Sequence, residues 1–553
     1  MYGLINGKIY TVNGVDWDQK PVSAMAVADD GKILAVGTED EIKAVLGEGA
    51  QLHDLGGKTV VPGFVDAHTH IPGTSLTELY LVDLYGAFDK EETLKRIRDF
   101  IEAHPENESY YGLGFNMGVV QKDPADMPVA WLDEICSDKP INLKSYDGHT
   151  QWLNTCAMDK LGITKDTVTH GSGMIQKNEE GELKGVFTDV RDIGLDDPVF
   201  TDEQQVAALK HYIKKMNAWG YTSLNSMAPT FGVSFDKYLD VEKDGDLTMR
   251  ATIANLIYSE HPAEDMEELF RMKDRIKSDK LKVQTAKFFM DGVVEGNTAW
   301  LKKPYDPAAG LGDNYNAPPE WDTEELKKYF RMAAEGGFGI HCHCIGDAAS
   351  SQALDAFESI QDVDTDCRGA ITHLQVVDRA DIDRFADMGI IAAIQTFWHL
   401  KEPDFYDEID LASLGKERAE NEYPAKSFVN KGVRITASGD FPVSFMNNPF
   451  MGIRAGVTRN LYSLAYYGEE ITDIDDPRFL LNPEERLSVK DMIEAYTING
   501  AYQIYREDEV GSLEAGKFAD YLILDADPLT IDPLKLDGIK VLHTVFEGKK
   551  VVF

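Results

Sequence analysis

Between residues 59 and 438 the chain alternates short apolar runs of β-forming residues with helical stretches, and eight such runs stand out. They are Thr59 to Ala67, Tyr221 to Met227, Arg250 to Leu256, Leu281 to Met290, Phe338 to His343, Gly369 to His373, Ile390 to Thr396 and Val433 to Ser438. Helical patterns intervene, as at Thr201 to Trp219, Ala263 to Lys277, Thr323 to Glu335 and Asp381 to Met388. Continuously apolar runs fit parallel strands that are covered on both faces. Eight β/α repeats predict an α/β chain closed into a (β/α)8 TIM barrel rather than an open sheet.

The two ends read differently. "GLINGKIYTVNG" and "AMAVADDGKILAVG" are short strands with Asn-Gly and Asp-Asp-Gly turns, and "ADYLILDADP" and "VLHTVFEGKKVVF" close the chain in the same style. Neither end has enough strands to bury a face alone. They are expected to pair as one small composite β-sandwich from residues 1–58 and 505–553, around a barrel of residues 59–504. Residues 71–200 hold far more chain than one crossover needs and read as an insertion after the first barrel strand, of the kind that shapes a pocket.

Composition narrows the function. Ninety-five acidic residues against 55 basic ones leave a formal charge of −40, which argues against nucleic acid or an anionic membrane as partner. Five cysteines with no CxxC pair make neither a disulfide framework nor a thiolate zinc site. The first residues lack a basic, apolar leader and no run of 18 apolar residues occurs, so a cytoplasmic protein is expected. The expected partners are a small-molecule substrate and a second copy of the chain in a homodimer.

Ionisable residues gather at the ends of the runs. His68 and His70 sit two apart in "VVPGFVDAHTH", so their side chains share one face of a strand. Lys287 ends "TAKFFMDG", His341 and His343 lie in "GIHCHCIGD", His373 in "AITHLQ" and Asp440 in "RITASGDFPV". Barrel catalysis occurs at the C-terminal face of the strands. A lysine inside an apolar strand is costly unless paired or chemically changed. Singly, His341 or His373 could be a satisfied core histidine, Lys287 could reach solvent, and Asp440 could merely turn the chain. Jointly they predict a metal site. Cys342 and Cys344 read as small apolar strand residues, and Asp347 as the cap of the helix after the fifth strand.

At these residues the chain resembles the amidohydrolase superfamily, and within it the amidohydrolase-3 group that includes YtcJ-like proteins and N-substituted formamide deformylases. The resemblance runs through "GKTVVPGFVDAHTH", "DGHTQWLNTCAM", "AKFFMDG", "HCIGDAA", "THLQVV", "AIQTFWH", "SGDFPV" and "GSLEAGKFADYLILDADP". It implies that His68 and His70 bind the more buried metal. It implies that Lys287 is carboxylated by CO₂ and bridges two ions as a carbamate, making a binuclear centre. His343, preferred over His341 because it heads "HCIGD", and His373 would bind the second ion. Asp440 would contact a metal and move the proton of the attacking water.

Departures from the group stand at Gln395, followed here by Thr396, Phe397 and Trp398 where the family often has proline, and at Ser438-Gly439-Asp440. Imidazole and carboxylate ligands suit zinc, with iron, manganese or nickel as alternatives and one or two ions. The expected reaction is hydrolysis of an amide-type C–N bond, in an N-acyl, N-formyl or cyclic amide, by metal-bound hydroxide. Metal-dependent deamination, isomerisation or decarboxylation is the enzymatic alternative, and a non-catalytic regulatory protein the other. His149, Glu295, Trp398 and His399 are the expected substrate contacts, while Asp291 and Gly292 read as a turn.

Overall fold

The structure is a computed structural model that describes residues 1–14, 17–121, 125–145, 150–168, 174–188, 190, 198–403 and 405–551. Eight strands form one parallel sheet: β1 (Phe64–Thr69), β2 (Tyr221–Ser226), β3 (Arg250–Ile257), β4 (Leu281–Phe289), β5 (Gly339–Cys344), β6 (Gly369–His373), β7 (Ile391–Ile394) and β8 (Ile435–Ala437). Each pairs with the next in parallel. The (β/α)8 expectation holds: each of the eight runs contributes a strand to this sheet.

Closure at the β1–β8 seam is made largely by side chains. The Gln503 amide donates to the Ala67 carbonyl on β1 at 2.8 Å and accepts from the Thr436 hydroxyl on β8 at 2.5 Å. Just beyond, the His70 amide donates to the Phe441 carbonyl at 2.8 Å. The chain ends of β1 and β8 are thereby tied at the face that carries His68, His70 and Asp440.

The helix Thr323–Glu335 shows how the outer layer forms. Leu326, Tyr329, Phe330, Ala333 and Ala334 recur at helical spacing and are all buried. The Asp322 carboxylate accepts from the Glu324 and Glu325 amides at 3.0 and 3.1 Å, satisfying the first turn. Asp347 differs from expectation. The cap of the helix Asp347–Glu358 is Gly346, and the Asp347 carboxylate instead accepts from the Lys302 amide at 2.8 Å. The incoming loop at Lys302 competes for the carboxylate that the helix start would otherwise use.

The first run also divides. Thr59–Pro62 is a strand of a separate sheet, and the barrel strand begins only at Phe64. Gly63 permits the crossing between them: a Cβ there would lie 2.3 Å from the Thr222 hydroxyl. An apolar run long enough for one strand thus serves two sheets.

Both termini build those further sheets. One has the order Ile33–Gly37, Ala24–Val27, Tyr2–Ile5, Gln51–Asp54. The other runs Lys8–Ile9, Thr59–Pro62, Tyr521–Leu524, Val541–Phe546, Lys549–Lys550. Leu4, Ile9, Met25, Val60, Tyr521 and Val545 share one apolar core across them.

Arg250, at the start of β3, locks this β-structure to the barrel. It is 1% exposed, lies between the rings of Phe518 and Phe546, and bonds Asp520 and, at 2.9 Å, Glu547. Removing one partner of a buried pair strands the other charge. Arg250→Ala is therefore expected to lower unfolding free energy by about 3–5 kcal/mol in denaturant titration. A loss under about 1 kcal/mol would show the pair to be incidental.

Residues 72–212 with 230–234 form a second compact unit. Its sheet has the order Met174–Lys177, Leu183–Thr188, Thr150–Leu153, Ile141–Ser145, Tyr110–Phe115, Val82–Asp83. Phe115, Leu143 and Trp152 lie in its core. No described helix is long and apolar enough to cross a membrane.

Candidate metal centre

Strand parity and register bring the ionisable residues to one end of the barrel. Lys287 on β4 is level with His341 on β5, Phe289 with His343, and Cys344 with His373 on β6. The Nε2 atoms of His68 and His70 lie 3.3 and 3.2 Å from Asp440 Oδ1. One ligand atom from each of the three lies within 4.8 Å of the others. The His68 ring centroid is 4.9 Å from His341 and 5.3 Å from His373, and His343 is 4.5 Å from His373. Asp440 and His373 both hold left-handed backbone, with φ of 53° and 75°. Such outliers cost free energy and collect at functional sites.

The hydrogen bonds decide which imidazole nitrogens are bare. His70 Nδ1 donates to the Ala228 carbonyl at 2.6 Å, leaving Nε2 toward Asp440. His373 Nδ1 faces Gln395 Oε1 at 2.9 Å; the Gln395 amide group donates to Thr372 and Ser438, so its oxygen accepts and His373 Nε2 is left free. His343 Nε2 donates to the Gly292 carbonyl at 3.1 Å, which leaves Nδ1. A ligating histidine commonly binds through one nitrogen while the other is held by a carbonyl or carboxylate.

Burial keeps His68, His341, His343 and His373 neutral. It pulls His343 down to about 3, helped by the nearby Lys287 charge. Burial first, then neighbouring cations, hold His68, His341 and His373 well below the usual histidine range. Neutral imidazole is the ligating form. Lys287 is 1% exposed, and its Nζ has no hydrogen-bond partner. Burial lowers it to about 8, opposed chiefly by Asp440. Asp440 Oδ1 is likewise buried without a hydrogen bond. Bare nitrogens around a buried, undonated carboxylate oxygen are what a divalent cation satisfies, so the residues fit a metal.

Two supports were not legible as such in the sequence. His341 Nε2 lies 3.0 Å from His68 Nδ1, so this second strand-five histidine packs directly on a candidate ligand. Asp66, fully buried, accepts from the His68 amide at 3.1 Å and from Asn447 at 2.6 Å. Its place two residues before His68, on the same strand face, was the available signal. Burial raises Asp66 to about 7.

The remaining expectations fall variously. Asp291 does more than turn the chain: its carboxylate accepts from the Trp300, Ile345 and Gly346 amides at 2.8–3.0 Å, tying the β4 loop to the end of β5. Trp398 stacks on His373 at 5.5 Å and donates to Ser444. His399 is fully buried and stacks on Tyr423. Glu295 is exposed in the loop after β4. His149 lies outside the described residues. Cys342 and Cys344 are buried strand residues whose thiols burial pushes up.

A sequence model described as the amidohydrolase family matches residues 51–552. The chain belongs to that family. It is a hydrolase of carbon–nitrogen bonds. It is 28% identical to YtcJ of Bacillus subtilis (strain 168), covering 95% of this chain and 94% of that one. It is 26% identical to an N-substituted formamide deformylase of Arthrobacter pascens, covering 99% and 97%. The crystal structure of an uncharacterized metal-dependent hydrolase from Pyrococcus horikoshii OT3 superposes with a TM-score of 0.72 at 23% identity, covering 96% and 99%. That likeness concerns the fold.

Proposed function

We propose that this amidohydrolase cleaves the amide bond of a small N-acyl, N-formyl or cyclic amide, with Asp440 moving the proton. The observation that supports this most is the meeting of His68, His70 and Asp440 at one point beside the partnerless Lys287 amine. His68, His70, Lys287, His343, His373 and Asp440 would hold one or two divalent ions, and zinc suits their nitrogen and oxygen donors. When bound, such an ion supplies Lewis acidity at the carbonyl and lowers the pKa of water to about 7. Lys287, buried and poorly able to keep its charge, would add its amine to CO₂ with loss of one proton. The carbamate so formed would replace an awkward cation with oxygen donors.

Asp440 is positioned to take a proton from water as the C–O bond forms. It would return that proton to the departing nitrogen as the C–N bond breaks. Trp398, stacked on His373, would wall the acyl side of the pocket. The similarity to a formamide deformylase favours an N-acylated amine over other amides.

The test is product analysis on zinc-loaded protein with a panel of N-formyl and N-acetyl amines. Acid and amine should appear in equal amounts, with one oxygen of ¹⁸O-labelled water in the acid. Turnover without amine release would defeat this reading. Gln395 offers a check on the ligands themselves. Gln395→Leu removes the acceptor of His373 Nδ1, and metal affinity measured against a chelator should fall about 10–100-fold. Unaltered affinity would remove His373 from the ligand set.

A further inference from the structure

A second cluster of carboxylates lies beside the metal centre. Gln375 follows His373 by two residues, and its amide group donates to Glu422 Oε1 at 2.6 Å and to Asp410 Oδ1 at 3.2 Å. Glu422 is 1% exposed and Asp410 6%. Glu402, half-buried, accepts from the Tyr467 hydroxyl at 3.3 Å. Glu295 stands exposed nearby, three residues after Gly292, whose carbonyl holds His343. The acids therefore grade from fully buried to open.

No cation among the described residues pairs with Glu402, Asp410 or Glu422. The Arg459 guanidinium, whose charge is felt at Glu422, donates to the carbonyls of Leu481, Tyr423 and Glu422 rather than to a carboxylate of the cluster. Lys401 instead lies over the Tyr406 ring, 5.2 Å from its centroid. One carboxamide is a poor counterpart for several carboxylates. Burial, then the charges of Glu295 and Glu402, push Asp410 up to about 8. Burial, then Glu295, push Glu402 up to about 7.

An independent observation points to a missing donor. Glu422 Oε2 and the Tyr406 hydroxyl are both buried without any hydrogen bond. Tyr406 heads the helical segment Tyr406–Asp410, and burial first, then Glu422, raises its hydroxyl. Both orphaned oxygens can accept. An ammonium carries three donors and no acceptor, so it matches them in charge and in hydrogen-bonding sense.

We propose that Glu422, Asp410 and Tyr406, with Glu402 and Glu295 toward the opening, bind a cationic amine on the substrate, some bonds away from the amide that is cleaved. The substrate class is then a mono-acylated diamine or the acyl amide of a basic amino compound. This rests on the amide-hydrolysis reading above and narrows it. Connectivity supports the reach. Gln375, Glu295 and the Trp398–His399 pair all leave the same strand ends that carry the candidate ligands.

The experiment uses the zinc-loaded full chain at low ionic strength. Calorimetry compares butane-1,4-diamine with butane-1,4-diol, and kinetics compare mono-N-acetyl-butane-1,4-diamine with its neutral isostere N-pentylacetamide. The diamine should bind where the diol does not, and the cationic amide should be favoured in kcat/KM by about tenfold or more, as for a desolvated charge pair. Glu422→Gln and, separately, Asp410→Asn should collapse both preferences, and folding is checked by melting temperature. Equal treatment of charged and neutral probes, or preferences that persist in both variants, overturns the proposal. Binding of the diamine without turnover of either amide would spare the cation site and defeat amide hydrolysis. Turnover of both amides at equal rates would do the reverse.

Discussion

Asp440→Asn is expected to lower kcat by about 10²–10⁴-fold, the range for loss of a positioned proton carrier, with folding and most bound metal kept. The substitution is isosteric, and the amide oxygen can still face His68 and His70 where Oδ1 stands at 3.3 and 3.2 Å. What disappears is the capacity to hold a proton between water and the leaving nitrogen. Asp440 is only 6% exposed and its backbone holds φ 53°. The measurement pairs steady-state rates with metal analysis and circular dichroism. Near-normal turnover with full metal would remove Asp440 from the chemistry. Equal loss of metal and rate would make it a ligand only.

The second large effect is at Lys287. Lys287→Ala should lose about 10²–10³-fold in kcat/KM, because a missing bridge weakens an electrophile worth several kcal/mol. Formate or acetate should restore part of that activity by entering the space the carbamate would fill. Intact-mass measurement of the native wild type should show the added mass of one CO₂, lost on acidification. Full activity in the alanine variant without any added acid would refute a bridging carbamate. The physical basis is the environment of Nζ: 1% residue exposure, no hydrogen bond, and a pKa drawn down to about 8 by burial. An amine that is partly neutral near physiological pH can attack CO₂; an exposed lysine seldom can.

Much of the architecture was local enough to read directly. Parallel strands covered on both faces are rich in apolar residues, so β6 and the apolar parts of β3 and β4 were readable from their composition. The HxH pair was equally local: parity alone puts His68 and His70 on one face. The run from Thr59 misled because hydrophobicity does not say which sheet a strand joins. Gly63, with no room for a Cβ beside Thr222, makes that division.

What the sequence determined was the alternation that closes a barrel, the residue types at the strand ends, and the acidity of the whole. Only the tertiary structure decided which imidazole nitrogen is bare, that His341 packs on His68, that Gln503 bridges the seam, and that Asp410 and Glu422 converge on Gln375. The reason is physical. Periodicity acts over a few residues, whereas hydrogen-bond direction and charge convergence depend on where separate loops come to rest once the strands have closed.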